Sequence, residues 1–236
     1  MITFALDCAG KTAGVAILKD DTLLYESYLA TGFTHSETLL VLINSTFTAT
    51  NLTPADVTCY AVTSGPGSFT GLRIGLALIK GLAFAHNTPC VAVSTLEGLA
   101  MSCVIPQGTV LCALDARRNE VYYAAFEKNQ ESYSRLCKDS AGPALEVLSA
   151  FKNCKKPLML IGDGAKICYN MLENKCDTLL YPADYRSGRA GSVARIGFAE
   201  FMAGRAICAA QLQPCYLRLS QAERERKEKL AASQAN

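Results

Sequence analysis

A chain of 236 residues, half of them hydrophobic, is long enough for two modest domains with a real core. Its net charge of +2 excludes an electrostatic case for direct nucleic-acid binding, so Arg117-Arg118 and Lys152 to Lys156 read as solvated surface. Eleven irregularly spaced cysteines with no C-x-x-C pair, beside only two histidines, exclude a disulfide framework and a zinc module. They are expected to be reduced thiols. The N-terminus lacks the basic start of a signal peptide and no apolar run reaches membrane-spanning length, so a cytoplasmic protein without membrane contact is expected.

In chain order, Ile2 to Cys8, Val15 to Leu18 and Thr22 to Leu29 read as three strands. Thr34-His-Ser-Glu37 is a capping box, with Thr34 as N-cap and Glu37 reaching back. The helix it opens carries Leu39, Leu42, Ile43 and Phe47 on one face, and Leu52 to Asp56 ends it. Val57 to Thr63 is a strand that breaks at Gly65-Pro66-Gly67. A helix follows from about Gly71 to Ala85, with Thr70 expected as its cap. The spacing of the glycines fits neither G-x-G-x-x-G nor a Walker loop, so a structural turn is favoured over a phosphate cradle.

This second helix has two apolar stripes. Leu72, Gly75, Leu76, Ile79, Leu82 and Ala83 form one; Ile74, Leu78, Gly81 and Ala85 form the other. A helix apolar on most sides is either a core element or is covered by a partner, and the sequence leaves open which stripe points outward. Cys90 to Val93 is a strand, Thr95 to Met101 a short helix, and Pro106-Gln-Gly108 a domain boundary.

The pattern then restarts. Leu6 to Leu18 overlays Leu114 to Phe126 without a gap, each an apolar strand ending in Ala-Leu-Asp, a polar turn and a second strand. A strand at about 131–136, a helix opened by Pro143, a strand Pro157 to Ile161, a helix after Gly162-Asp-Gly164, a short apolar Thr178 to Leu180 and a helix Gly191 to Ala203 complete the second half. The division is 1–105 for the first lobe and 106–218 for the second. The segment 219–236 is a charged tail, expected as a frayed helix or disordered.

A duplicated lobe of this order resembles the actin, sugar-kinase and Hsp70 superfamily. The resemblance implies two actin-like (ribonuclease H-like) α/β lobes, each with a mixed five-stranded sheet. It places Asp7 and Asp115 at the strand ends that commonly hold a metal or activate water. Their glycine-poor turns depart from that pattern. More specifically, the Leu6-Asp7 hairpin, Thr34 to Leu40, Gly65-Pro-Gly-Ser-Phe-Thr-Gly-Leu-Arg-Ile-Gly75, Val93 to Gly98, Leu114 to Arg117 with Glu120-Val-Tyr122, and Tyr216-Leu-Arg218 resemble the TsaB (YeaZ) family. That family serves the formation of threonylcarbamoyladenosine on tRNA.

The resemblance implies a non-catalytic scaffold that binds the catalytic subunit TsaD, with TsaE as a further partner and tRNA contacted only indirectly. It implies no cofactor held by this chain alone, ATP and a metal ion residing in the partner subunits. The metal-holding His-x-x-x-His of TsaD falls here on Thr95 and Leu99, neither of which replaces a histidine ligand. The expected docking surface is the pair of helices at about Ser36 to Thr48 and Gly71 to Ala85, with Leu39, Leu42, Ile43, Leu72, Arg73, Leu76, Ile79 and Lys80 as interface residues. Without a partner, the same surface would pair with itself.

Two other readings stay open. One is an active small-molecule kinase or ATPase using Asp7 and Asp115; the other is a metal-dependent transferase or peptidase. Glu97 stands without a partner carboxylate in the sequence, and Ser68 and Ser94 without an adjacent histidine.

Overall fold

The structure, a computed structural model, describes residues 1–30, 32, 34–129, 132–172 and 175–218. The charged tail 219–236 and Glu131, the first residue expected in the third strand of the second half, lie outside the described residues.

The first half opens with β1 (Ile2–Asp7), β2 (Ala13–Lys19) and β3 (Thr22–Leu29), followed by α1 (His35–Thr50), β4 (Cys59–Gly65), α2 (Phe69–Phe84), β5 (Cys90–Ser94) and α3 (Thr95–Ser102). Its strands form one mixed sheet in the order β3-β2-β1-β4-β5, antiparallel among the first three and parallel from β1 to β5. The second half supplies β6 (Gln107–Asp115), β7 (Glu120–Asn129), β8 (Ser132–Arg135), β9 (Ser140–Pro143), α4 (Ala144–Ala150), β10 (Leu158–Ile161), α5 (Ala165–Met171), β11 (Thr178–Leu180) and α6 (Ala190–Met202). Its main path, β8-β7-β6-β10-β11, repeats the order and the senses of the first sheet. The duplication read from the Ala-Leu-Asp strand ends is therefore a duplication of topology.

The expectation of five strands per sheet needs one correction. The second sheet has six, because the counterpart of β3 is broken into β8 and β9, which pair with opposite ends of β7. Between them the chain leaves the ladder. Leu136 N–H still donates to Ala125 O at 2.8 Å, but Ala125 N–H turns to the Cys137 sulfur at 3.3 Å instead of a carbonyl.

Successive residues of a strand face opposite ways, so each sheet buries two faces. Phe4, Leu6, Val15 and Ile17 point to α1 and α2, whereas Ala5, Ala16 and Leu18 point to α6. In the second sheet Val110, Cys112 and Phe126 point to α3, and Leu111, Ala113 and Ala125 to α4 and α5. Two helices thus cross over: α3, from the first half, lies on the second sheet, and α6, from the second half, lies on the first. They also touch each other, through Ser102 Oγ and Ser192 Oγ at 3.0 Å. Small residues let α6 come close, since Gly197 lies directly over Ala61.

The expected caps are partly revised. Glu37 accepts from the Thr34 amide at 2.9 Å, the reach-back half of the capping box, and also from the Thr34 hydroxyl at 2.6 Å. For α2 the cap is Ser68 rather than Thr70; its Oγ accepts from Gly71 N–H at 3.2 Å and the helix begins two residues earlier than expected. Ser68 N–H in turn donates to Ala9 O at 2.7 Å, tying the Gly-Pro-Gly turn to the β1–β2 hairpin. That bond supports the structural reading of the turn.

Candidate functional site

A cleft of about 750 Å³ lies where the two hairpin turns, Cys8 to Thr12 and Ala116 to Asn119, face each other. Lys11, His35, Asp115, Tyr122, Asp163 and Arg218 supply its polar walls, and the Pro66 to Thr70 turn supplies its floor on the first-lobe side. Asp115 is exposed; its Oδ1 accepts from Arg117 N–H at 2.7 Å, while its own N–H donates to Asp163 Oδ1 at 2.9 Å. Arg117, Arg118 and Asn119 turn the second hairpin with φ of 65, 56 and 59°, a left-handed run that costs energy in side-chain-bearing residues.

The two aspartates that the sequence pairs do not share this space. Asp7 is buried under the first hairpin, 4% exposed, and its Oδ1 accepts from Thr63 Oγ1 at 3.1 Å and from Ala9 N–H at 3.3 Å. Burial pushes its carboxyl above the ordinary range, against the opposing pull of those two donors. Gly188, in the turn before α6, presses on the other side of the carboxylate. Of the pair, only Asp115 lines the cleft.

The positions aligned with metal ligands are also interior. Thr95 is 4% and Leu99 1% exposed, on the face of α3 that packs against the second lobe. Glu97 accepts from Tyr133 Oη at 3.0 Å and pairs with Arg135 at 2.9 Å; Arg135 also pairs with Asp139 at 2.5 Å. Ser94 caps α3 by accepting from Glu97 N–H at 3.2 Å and donates to Asp139 Oδ2 at 2.6 Å. Glu97 and Ser94 are therefore parts of a polar joint between α3 and the β8–β9 edge. This joint escaped the sequence, because Asp139 carries no local signal.

The expected interface residues need a plain correction. Leu39, Leu42, Ile43, Leu72, Leu76 and Ile79 are all buried in the chain's own core beneath α1 and α2. The bulkier stripe of α2 faces the sheet because it fills the space above Leu6, Val62 and Phe4. Of the eight, Arg73 is exposed and Lys80 half-buried. The outward surface is neither apolar stripe as drawn from the sequence: Arg73, Ala77 and Phe84 are exposed at helical spacing with half-buried Lys80, while Ile74 and Leu78 of the second stripe are half-buried against the core and only its Gly81 and Ala85 are exposed. On α1, Leu40 is 53% and Val41 62% exposed. Phe84 is 81% exposed.

A third feature was visible in the sequence only as the Tyr216-Leu-Arg218 motif. Residues Cys215 to Arg218 line the cleft and touch both lobes. Cys215 N–H donates to Ser64 O at 2.7 Å, Tyr216 stacks on Phe69 with centroids 4.2 Å apart, and Arg218 donates to Ala116 O at 3.1 Å.

Among the described residues, no helix is long and apolar enough to cross a membrane.

A family model described as TsaD: tRNA N6-adenosine threonylcarbamoyltransferase matches residues 31–195. The tRNA threonylcarbamoyladenosine biosynthesis protein TsaB of Bacillus subtilis (strain 168) is 29% identical over 225 residues, covering 94% of this chain and 96% of the relative. TsaB of Escherichia coli (strain K12) is 33% identical over 132 residues, covering 55% and 57%. Among solved structures, an uncharacterized protein with similarity to peptidase YEAZ from Pseudomonas aeruginosa superposes with a TM-score of 0.82 at 26% identity, covering 92% of this chain and 99% of that one.

Proposed function

Since the chain belongs to the family of TsaD, tRNA N6-adenosine threonylcarbamoyltransferase, in its TsaB-like form, we propose that it acts in threonylcarbamoyladenosine biosynthesis as a non-catalytic scaffold. It pairs with a catalytic sibling of the TsaD type and supports recruitment of TsaE, while tRNA is met through the assembly. ATP and a metal ion belong to the partner subunits. Alone, the chain pairs with itself through the same surface.

The observation that carries this reading is the outward face of α1 and α2. Leu40 and Val41 stand exposed on α1, and Arg73, Ala77 and Phe84 on α2. Large apolar side chains left in water on packed helices are the raw material of an interface. The same chain buries Asp7 under its hairpin and spends Glu97 on an internal ion pair, which supports a scaffold rather than a reaction centre.

The test is reconstitution of tRNA modification with the TsaD-type sibling, TsaE and the adenylate-forming enzyme, with and without this chain. Modification that needs the chain, together with co-elution of chain and sibling, supports the proposal; full activity without it ends the proposal. The rival kinase or ATPase reading takes its support from Asp115 in the cleft. Calorimetry with Mg-ATP on the isolated chain decides against that reading if no heat of binding is seen.

A further inference from the structure

The last described residues do more than end the second lobe. From the short turn Ala209–Gln211 the chain passes Leu212, buried in the first-lobe core, and runs along the mouth of the cleft. Its first anchor is backbone: Cys215 N–H donates to Ser64 O at 2.7 Å. Gly65 permits the approach, because a Cβ there would stand 2.4 Å from Cys215 O. The second anchor is aromatic. Tyr216 stacks on Phe69, and Arg73 closes the group, its guanidinium 4.0 Å above the Phe69 centroid and its Nε donating to Tyr216 Oη at 2.9 Å. The third anchor lies in the other lobe, where Arg218 donates to Ala116 O at 3.1 Å and pairs with Glu120.

We propose that residues 213–218 are a clasp that holds the two lobes together across the cleft, and that the clasp is fastened from the same outer face of α2 on which a partner docks. The coupling element is Arg73. It is exposed on that face, one turn from Ala77 and beside Ile74, yet its side chain is committed to Phe69 and Tyr216. A partner covering this face removes water from around Arg73. Its hydrogen bond to Tyr216 and its contact with the Phe69 ring are then strengthened by the lower local dielectric. Docking therefore tightens the clasp, and by reciprocity an intact clasp favours docking. A clasp so placed fixes the angle between the lobes and restricts entry to the cleft while the partner is bound. The coupling half of this inference rests on the docking reading above; the clasp itself does not.

The test is amide hydrogen exchange, read by mass spectrometry over residues 213–218 and over the 115–120 hairpin, in the full chain with and without the TsaD-type sibling. Arg218→Ala is the main variant, because both of its partners lie in the second lobe, away from the docking face. It should speed exchange over both segments at least about tenfold, the effect of losing its charged hydrogen bond to Ala116 O together with its pairing to Glu120. It should also weaken sibling binding about threefold or more without touching the sibling.

Tyr216→Phe keeps the stack, loses the bond to Arg73, and should move both readouts in the same direction; it serves if Arg218→Ala does not fold. Adding the sibling to the wild-type chain should slow exchange over 213–218. Exchange that is equal in wild type and variants overturns the clasp. Binding of the sibling without slowing of 213–218 overturns the coupling alone. A wild-type chain that does not bind the sibling overturns the docking reading and the coupling with it.

Discussion

Gly188 stands so close to Asp7 that a Cβ added to it would lie 2.1 Å from Oδ2. The carboxylate has little room to retreat, since Oδ1 is held by Thr63 and Ala9. Gly188→Ala should therefore force Asp7 off its two donors and lower stability by about 1–3 kcal/mol. In an Asp7→Ala background the obstruction is gone, and the same change at 188 should cost less than about half as much. Urea unfolding of the four proteins of this cycle measures the difference. Equal costs in both backgrounds would mean that the turn before α6, not Asp7, sets the penalty.

The raised pKa of Asp7 gives a second prediction, with a definite sign. Burial is the main cause, so the folded protein holds this proton at pH values where the unfolded chain, with a carboxyl near 3.8, has released it. The native state binds more protons in that window. The Asp7 contribution to stability therefore falls as pH rises from about 3.8 through the raised folded value, and the cost is constant above it. Asp7→Asn keeps an oxygen to accept from Thr63 and Ala9 and removes the charge. It should raise the midpoint of thermal unfolding at pH 7.5 and have little effect near pH 3.5. A loss of stability at neutral pH would show that the ionised carboxylate has a partner the fold depends on.

Thiol chemistry tests the reading of the cysteines. Cys176, Cys208 and Cys215 are exposed, whereas Cys8, Cys59, Cys90, Cys103, Cys112 and Cys168 are buried. Burial pushes Cys8 and Cys59 up to about 12, so neither is a thiolate at neutral pH. Ellman's reagent should modify the three exposed thiols first in the native protein, and the six buried ones only as it unfolds in denaturant. Early modification of Cys8 would mean that the first hairpin opens readily.

The central strands were legible in the sequence because each is a run of apolar residues with a turn at its end, and because the two Ala-Leu-Asp ends mark equivalent strands; the split of Ser132–Arg135 from Ser140–Pro143 was not, because both segments are largely polar. The crossing of α3 and α6 was not legible. It is decided by contacts such as Gly197 on Ala61, between residues far apart in the chain. The clasp escaped for the same reason: Arg73 and Tyr216 are 143 residues apart, and neither has a local pattern that points to the other. The cap of α2 was misplaced by two residues because Ser68 and Thr70 are both capping residue types, and the bond from Ser68 N–H to Ala9 O fixes the start at Ser68. The orientation of α2 was open for a simple physical reason. Both of its stripes are apolar, and both reach the core, Leu72, Leu76 and Ile79 fully and Ile74 and Leu78 in part, which leaves the Arg73, Ala77 and Phe84 line outward.

That orientation decides which substitutions separate folding from docking. Ile79 is fully buried among Leu39, Val62 and Leu76, so Ile79→Glu places an unpaired carboxylate in the core and should cost more than about 4 kcal/mol, enough to unfold the chain. Val41 and Ala77 are exposed on α1 and α2, and glutamate at either position keeps a good helix former in water. Val41→Glu and Ala77→Glu should leave the circular dichroism spectrum unchanged and the unfolding free energy within about 0.5 kcal/mol of wild type. Val41→Glu should weaken association with the TsaD-type sibling at least tenfold, because its charge is buried in an apolar contact without a partner, and Ala77→Glu should weaken it less, because Arg73 and Lys80 lie within one helical turn of the new carboxylate. Sedimentation of mixtures with the sibling, and of the chain alone at high concentration, reads both effects. Folded variants that still associate at wild-type strength would remove α1 and α2 from the interface and leave the proposed scaffold without its docking surface.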